Sequence, residues 1–248
     1  MRQNIHISIV SPVFCGEMLV DILAQRVKNT VEKITAKYEL ILVDDGSPDL
    51  SWKKIQTLCT GDKKIKGIRL QKNYGQHAAI KAGLDHASGD WIVVMDCDLQ
   101  DVPESITDLY TEAQKGFDAV FALRRKTFEP PLKKMYSFLF YKKLQILSGV
   151  QLQANIANFG IYSKAMIEEI KTTEYKFFFF PLAVRKIAKH ASTIESEHAK
   201  RPAGKTSYSF LKALRLGIKV IFANSVFSFA VKKKKEMYHI AEILNDTF

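Results

Sequence analysis

Trp91-Ile92-Val93-Val94-Met95-Asp96-Cys97-Asp98-Leu99-Gln100-Asp101-Val102-Pro103 joins an apolar run to a cluster of oxygen-bearing side chains. The apolar run reads as a buried strand, and Pro103 suits the first turn of a following helix. Carboxylates two residues apart on extended backbone point the same way, so Asp96 and Asp98 can converge on one ligand. Hard divalent cations take oxygen ligands, and Mg²⁺ or Mn²⁺ is typically held by one or two carboxylates plus substrate phosphates. The plain alternative is a loop of solvated acids capping the next helix. Three acids and an amide directly behind a buried strand, in a chain rich in Lys and Arg, favour a metal–phosphate site.

Outward from this stretch, strands and helices alternate. Residues 5–13 alternate in polarity and reach Pro12, as a first strand ending in a loop does. Residues 17–36 carry Leu19, Val20, Leu23, Val27, Val31 and Ile34 at helical spacing. Residues 38–43 form a second apolar strand that stops at Asp44-Asp45-Gly46-Ser47-Pro48-Asp49, with Asp49 a fitting N-cap for a helix over 50–59. A short third strand (67–70), a helix (76–87), the strand at Trp91, a helix (104–115) and a fifth strand (119–123) follow. This order predicts an α/β fold, an α/β/α sandwich with a mostly parallel central sheet. Ligands of such sheets bind outside the carboxyl ends of the strands, where the strand order switches. The acids after the second and fourth strands fall there.

Beyond Arg124 the pattern changes. Arg124-Arg125-Lys126 and Lys133-Lys134 flank Glu129-Pro130-Pro131, and residues 135–147 read as a basic, aromatic helix. Residues 159–163 suggest a strand, Phe177-Phe178-Phe179-Phe180-Pro181 precedes a helix to 189, and residues 192–198 suggest a last strand. The expected organisation is one domain over 1–209, with a nucleotide-binding half (1–125) and an acceptor half (126–209). A basic amphipathic helical region is expected over 210–248. There is no internal repeat.

The chain has 248 residues, 47% of them hydrophobic, enough for a full core. A net charge of +11 points to anionic partners: nucleic acid, nucleotide phosphates or an acidic membrane surface. Cys15, Cys59 and Cys97 lack metal-ligand spacing, and their odd count fits a reducing cytoplasm. No signal peptide is visible, and the longest nearly uncharged run, residues 220–231, is too short to span a bilayer. Residues 133–143 and 210–235, the latter ending in Lys232-Lys233-Lys234-Lys235, mix apolar and basic side chains. They read either as helices in a membrane interface drawn to anionic lipid or as core-facing helices with a solvated basic face.

In its ordered motifs the chain resembles the inverting glycosyltransferases of family 2 with a GT-A fold, especially their polyprenyl-phosphate (dolichyl or undecaprenyl) branch. The motifs are Ser11-Pro12-Val13-Phe14, Val43-Asp44-Asp45-Gly46-Ser47-Pro48-Asp49, Asn73-Tyr74-Gly75-Gln76-His77-Ala78-Ala79, Asp96-Cys97-Asp98-Leu99-Gln100, and the loop from Arg201 to Tyr208. The resemblance implies that Pro12, Phe14, Val43 and Asp45 hold the nucleoside, although Asp44-Asp45-Gly46-Ser47 is also an ordinary Asx turn. It implies that Asp96 and Cys97 face the donor's ribose or sugar, and that Asp98 and Gln100 bind an Mg²⁺ or Mn²⁺ ion bridging the diphosphate. Arg124 and Arg201 are the implied basic partners, and Lys205 and Ser207 belong to a loop that closes over the diphosphate. The family's acid beyond the aromatic falls at Gly16, with Glu17 displaced by one residue. A lysine common in the family is replaced by Ser207, and Asn158 stands where many members carry an Asp discussed as the catalytic base.

The implied reaction is metal-dependent, inverting transfer of a sugar from a nucleotide-sugar donor to polyprenyl phosphate, at the inner face of the cell membrane by a peripheral protein. Asn158 cannot take a proton at neutral pH, which suits an acceptor phosphate that is already an anion. Transfer to a saccharide hydroxyl needs another base, for which Asp101, Glu129 and His198 are the available groups. A binding protein that has lost turnover is the third reading. Nucleic acid explains the charge but not the ordered acids. A Walker A loop is excluded at Gly204-Lys205-Thr206, because Ala199 stands where the first glycine belongs, and no Gly-x-Gly-x-x-Gly follows the first strand.

Overall fold

The structure, a computed structural model, describes residues 5–124, 145, 156–175, 178–197, 199 and 237–246. The first half alternates as β1 His6–Val13, α1 Val20–Val31, β2 Lys37–Asp44, α2 Ser51–Gly61, β3 Ile65–Leu70, α3 Gln76–Asp85 and β4 Trp91–Val94. A 3-10 turn at Pro103–Ser105 leads into α4 Ile106–Ala113, followed by β5 Ala119–Arg124. Then come β6 Ile156–Ser163, α5 Lys164–Thr172, α6 Phe180–Ile187, β7 Ala191–Ser196 and β8 Ile240–Leu244.

All eight strands join one sheet in the order β7-β5-β6-β4-β1-β2-β3-β8. The block β3-β2-β1-β4 is parallel, β6 runs antiparallel to both β4 and β5, and β7 is parallel to β5. Strands β1 and β2 are buried along nearly their whole length, as strands covered on both faces must be. Their successive residues divide between two cores. Ile9, Leu40, Leu42 and Val93 face α1, α2 and α4 through Leu23, Val27, Ile55 and Leu109. Val10, Ile41, Val43 and Val94 face α3, α5 and α6 through Ile80, Ile167, Ile170 and Val184. Helix α3 lies so close to β1 that a Cβ at Gly83 would run into Val10 Cγ1, so only glycine fits there.

Three expectations need correction. The expected helix over 104–115 begins as the 3-10 turn at Pro103. The helix after Asp49 starts at Ser51, with Leu50 at its N-cap; Asp49 still serves its first turn by accepting the Ser51 N–H at 3.1 Å. The largest correction lies in the region read as helical over 210–248, because Ile240–Leu244 is a strand paired antiparallel with β3. Its Ile240 and Ile243 pack into the α3-side core, and Asn245 Nδ2 donates to the carbonyls of Cys59 and Ile65 at 2.7 and 2.9 Å. Apart from residue 145, the expected helix over 135–147 lies outside the described residues, as do the expected helix over 210–231 and the lysines 232–235. Among the described residues no helix is long and apolar enough to cross a membrane.

Candidate active site

Three loops meet at the carboxyl ends of β1, β2 and β4, where the strand order turns back on itself. The first carries Pro12, which is buried, and Phe14, whose ring is exposed. Consecutive N–H groups of Cys15, Gly16 and Glu17 donate to Ser47 Oγ at 3.1 Å, Ser51 Oγ at 2.8 Å and Asp49 Oδ2 at 3.3 Å. Glu17 Oε2 returns the contact by accepting the Leu50 N–H at 2.9 Å. Glu17, which the resemblance places near the donor, thus also braces the first loop against the second.

The second loop begins at Asp44 and Asp45, which leave the end of β2 toward opposite faces. Asp44 is fully buried; Oδ1 accepts the Ser47 N–H at 3.3 Å, and Oδ2 has no hydrogen-bond donor, with Arg69 Nε 3.7 Å away. Burial pushes its carboxyl up against the Ser47 bonds. Asp45 accepts the N–H of Tyr74 at 2.7 Å through Oδ1 and that of Gly75 at 2.9 Å through Oδ2. Burial is the larger influence and raises this carboxyl to about 6, the two hydrogen bonds opposing it. Gly46 adopts a left-handed φ of 65°, and a Cβ there would lie 2.6 Å from the Lys72 carbonyl carbon. The turn after β2 thus packs directly on the loop before α3. Val43 is wholly buried in the core, so it can offer a ligand only its main chain.

The third loop is the acid stretch itself. Met95 N–H donates to Val10 O at 3.1 Å, and Asp96, Cys97 and Asp98 then emerge half-buried. Gln76 Nε2, on the first residue of α3, donates to Asp96 Oδ1 at 2.5 Å. Asp98 Oδ1 accepts the Gln100 N–H at 3.1 Å across Leu99, whose φ is 58°. A Cβ at Gly16 would lie 3.5 Å from Cys97 Sγ, so the first loop passes over the third. Ala199 N–H donates to Gln100 O at 2.9 Å and ties the chain after β7 to the same place.

Asn158 lies on β6, partly buried. Val94 pairs with Gly160, the last pair between β4 and β6, and Asn158 lies two residues further along β6, at the end of the sheet from which Asp96 emerges. Asp101 is 2% exposed, which leaves it no access to an acceptor. Arg124 ends β5 on the site side of the sheet. Arg201, Lys205 and Ser207 lie outside the described residues, as do Glu129 and His198. The sequence reading gave no role to Gln76 or His77, although both stand in the motif around Asn73. His77 Nδ1 is buried without a hydrogen-bond partner, the ring meets Phe179 edge-on at 4.6 Å, and burial lowers it to about 4, so it is neutral at pH 7.

Among the described residues no three His, Cys, Asp or Glu side chains converge on one point. The expected donor set, the Asp98 carboxylate with the Gln100 amide, offers hard oxygens two residues apart on one loop. That fits Mg²⁺ or Mn²⁺, which keep several positions for water and phosphate, and does not fit a closed zinc site.

Residues 8–171 match the family model described as glycosyl transferase family 2. The undecaprenyl-phosphate 4-deoxy-4-formamido-L-arabinose transferase of Shewanella sediminis (strain HAW-EB3) is 33% identical over 217 residues, covering 87% of this chain and 66% of the relative. The chain therefore spans just under two thirds of that relative's length. Among solved structures, the mannosyltransferase PcManGT of Pyrobaculum calidifontis in complex with GDP-Man and Mn²⁺ superposes with a TM-score of 0.59 at 14% identity, over 94% of this chain and 66% of that one. The glucosyl-3-phosphoglycerate synthase of Mycobacterium tuberculosis in complex with uridine-diphosphate gives 0.62 at 16% identity, over 89% and 79%. At these identities the likeness to the two structures is one of fold.

Proposed function

The chain belongs to glycosyltransferase family 2, and from that membership we propose that it transfers a sugar from a nucleotide-sugar to a polyprenyl phosphate such as undecaprenyl phosphate, with inversion at the anomeric carbon. The observation that carries this reading is the meeting of Asp96 and Asp98 with the Phe14 and Asp45 loops at the carboxyl edge of β1, β2 and β4. An acidic pair and an exposed aromatic ring, in a chain of net charge +11, suit a nucleoside diphosphate better than any purely cationic or apolar ligand.

In this reading the exposed Phe14 ring stacks on the base, and Asp96 orients the donor's hydroxyl groups. Asp98 and Gln100 hold an Mg²⁺ or Mn²⁺ ion, which when bound neutralises charge on the departing diphosphate as a Lewis acid. An acceptor phosphate oxygen forms the new bond to C1 as the bond from C1 to the diphosphate oxygen breaks, and the nucleoside diphosphate leaves. Arg124, Arg201, Lys205 and Ser207 are the further diphosphate contacts of the proposal. Asn158 orients and does not deprotonate, because a phosphate acceptor arrives ionised.

A lipid acceptor agrees with the basic, aromatic stretches. On the described residues nearest this part of the sequence, Ala199 N–H donates to Gln100 O at 2.9 Å and the His239 carbonyl accepts the Gln71 N–H at 3.0 Å. We place the protein at the cytoplasmic face of the membrane, held by its basic segments. The test is incubation with Mn²⁺, labelled nucleotide-sugars and extracted polyprenyl phosphate. Labelled, mild-acid-labile lipid supports the reading. Label found only in water-soluble oligosaccharide replaces it with transfer to a saccharide hydroxyl, and donor binding without turnover on any acceptor replaces it with a binding protein.

A further inference from the structure

The two acidic motifs of the site are joined through a residue that neither contains. Asp45, at the end of β2, fixes the backbone of Tyr74 and Gly75 by two hydrogen bonds, and Gly75 is the N-cap of α3 with φ 97° and no side-chain cap of its own. The Gly46 turn packs against the Lys72–Asn73 backbone from the same side. The first residue of α3 is thereby held at one place, and from it Gln76 Nε2 reaches Asp96 Oδ1 at 2.5 Å. We infer that Gln76 is a positioning residue that sets the direction of the Asp96 carboxylate toward the donor, and that the Asp45 loop acts on the site through it.

The chemistry of an amide explains the choice of side chain. Asp96 emerges beyond the last paired residue of β4, where no ladder partner fixes its rotamer. A cationic partner would orient the carboxylate but neutralise it, weakening its hold on a ligand hydroxyl. An amide N–H orients it and leaves the full negative charge in place.

This inference rests on the donor-site reading above, and its test separates the two. Nucleotide-sugar binding by calorimetry in the presence of Mn²⁺, and kcat with donor and acceptor KM, are measured for the full chain and for Gln76→Leu and Gln76→Glu. Gln76→Leu is expected to lower kcat/KM for the donor about tenfold, the loss of one hydrogen bond to a charged group, with the acceptor KM unchanged. Gln76→Glu keeps the shape of the side chain but takes away the donated N–H, and is expected to lose donor kcat/KM at least as far, again with the acceptor KM unchanged. Equal losses for donor and acceptor, or a Gln76→Glu protein that handles the donor as the parent does, would overturn the positioning role. A parent protein that binds no nucleotide-sugar would instead overturn the donor-site reading itself.

Discussion

Lys66 Nζ lies 3.5 Å from Glu39 Oε2 at the amino end of the sheet, the pole opposite the donor site, with both side chains almost fully excluded from water. The other Glu39 oxygen accepts Ser8 Oγ at 2.6 Å and the N–H and Oγ of Ser88, both at 2.8 Å. Burial works against this carboxylate, yet the serine bonds and Lys66 outweigh it and hold its pKa below the ordinary value. Asp246, just past β8, approaches the same lysine at 3.4 Å. The buried charge thus ties β1, β2, β3 and the C-terminal strand together far from the chemistry.

Replacing Lys66 with Met leaves Glu39 buried without its counter-ion. We expect a loss of about 3 kcal/mol in urea unfolding at pH 7, since breaking one side of a buried pair costs far more than the pair contributes. Because the Glu39 pKa is depressed in the fold, its share of stability is present above the unfolded pKa and fades as pH falls through the folded one. Nucleotide-sugar affinity of the folded variant should match the parent's. A Lys66→Met protein as stable as the parent would show that the ion pair is incidental.

Asp45 has the opposite sign. Its folded carboxyl titrates at about 6 against an ordinary 3.8, so the buried charge is a burden above pH 6 that lifts as the proton returns. Relative to Asp45→Asn, the parent should gain roughly 1 kcal/mol between pH 8 and pH 5, the direction in which the folded state binds the extra proton. Urea midpoints of the two proteins across that range provide the measurement. Parallel curves would mean that Asp45 does not titrate there.

The parallel half of the fold was legible because its strands are continuous apolar runs that stop at acids, as Tyr38 to Asp44 and Trp91 to Asp96 show, and because α1 repeats its apolar residues at helical spacing. What escaped was non-local. Ile240–Leu244 follows a basic stretch and resembles a helix end by composition. Only its pairing with Ile68 and Arg69, together with Trp52 Nε1 donating to Glu242 at 3.2 Å, makes it a strand. The site acids were visible from residue type and spacing, whereas Gln76 was not. Twenty positions separate it from Asp96, and nothing local to either residue encodes the contact. The contact of Glu17 with the backbone of Leu50, across a loop, is hidden from the sequence for the same reason.

Asp98→Ala should abolish turnover that depends on Mn²⁺ while leaving the unfolding free energy within about 0.5 kcal/mol of the parent's, because the side chain is half-exposed and its bond to the Gln100 N–H spans a tight turn. Chelation of the metal should stop the parent to the same extent. Turnover of Asp98→Ala at the parent's rate would remove this carboxylate from the reaction.

Changing Lys232, Lys233, Lys234 and Lys235 to Gln should release the protein from vesicles containing anionic lipid. Each lysine near such a surface contributes about 1 kcal/mol, so the pelleted fraction should collapse at physiological salt. Undiminished sedimentation would locate any membrane contact elsewhere.

Asn158 separates the two acceptor chemistries. It lies on β6 two residues beyond Gly160, the last residue of β6 paired with β4, at the end of the sheet from which Asp96 emerges, so Asn158→Asp adds a carboxylate to the acidic end of the site, where like charges raise the affinity for a proton. With polyprenyl phosphate, an acceptor already ionised, the new carboxylate supplies no needed base and repels the incoming anion. The variant should be slower than the parent by roughly tenfold at pH 8, the effect of about one pKa unit, and should recover as pH falls. With a saccharide hydroxyl the same carboxylate would supply the missing base, and the variant would be the faster enzyme. Asn158→Ala closes the comparison: with the lipid phosphate it should lose only the orienting contact and keep the parent's pH dependence, because neither the amide nor the methyl group moves a proton. An Asn158→Asp protein that outpaces the parent on the lipid at high pH would mean that deprotonation of the acceptor limits the reaction after all.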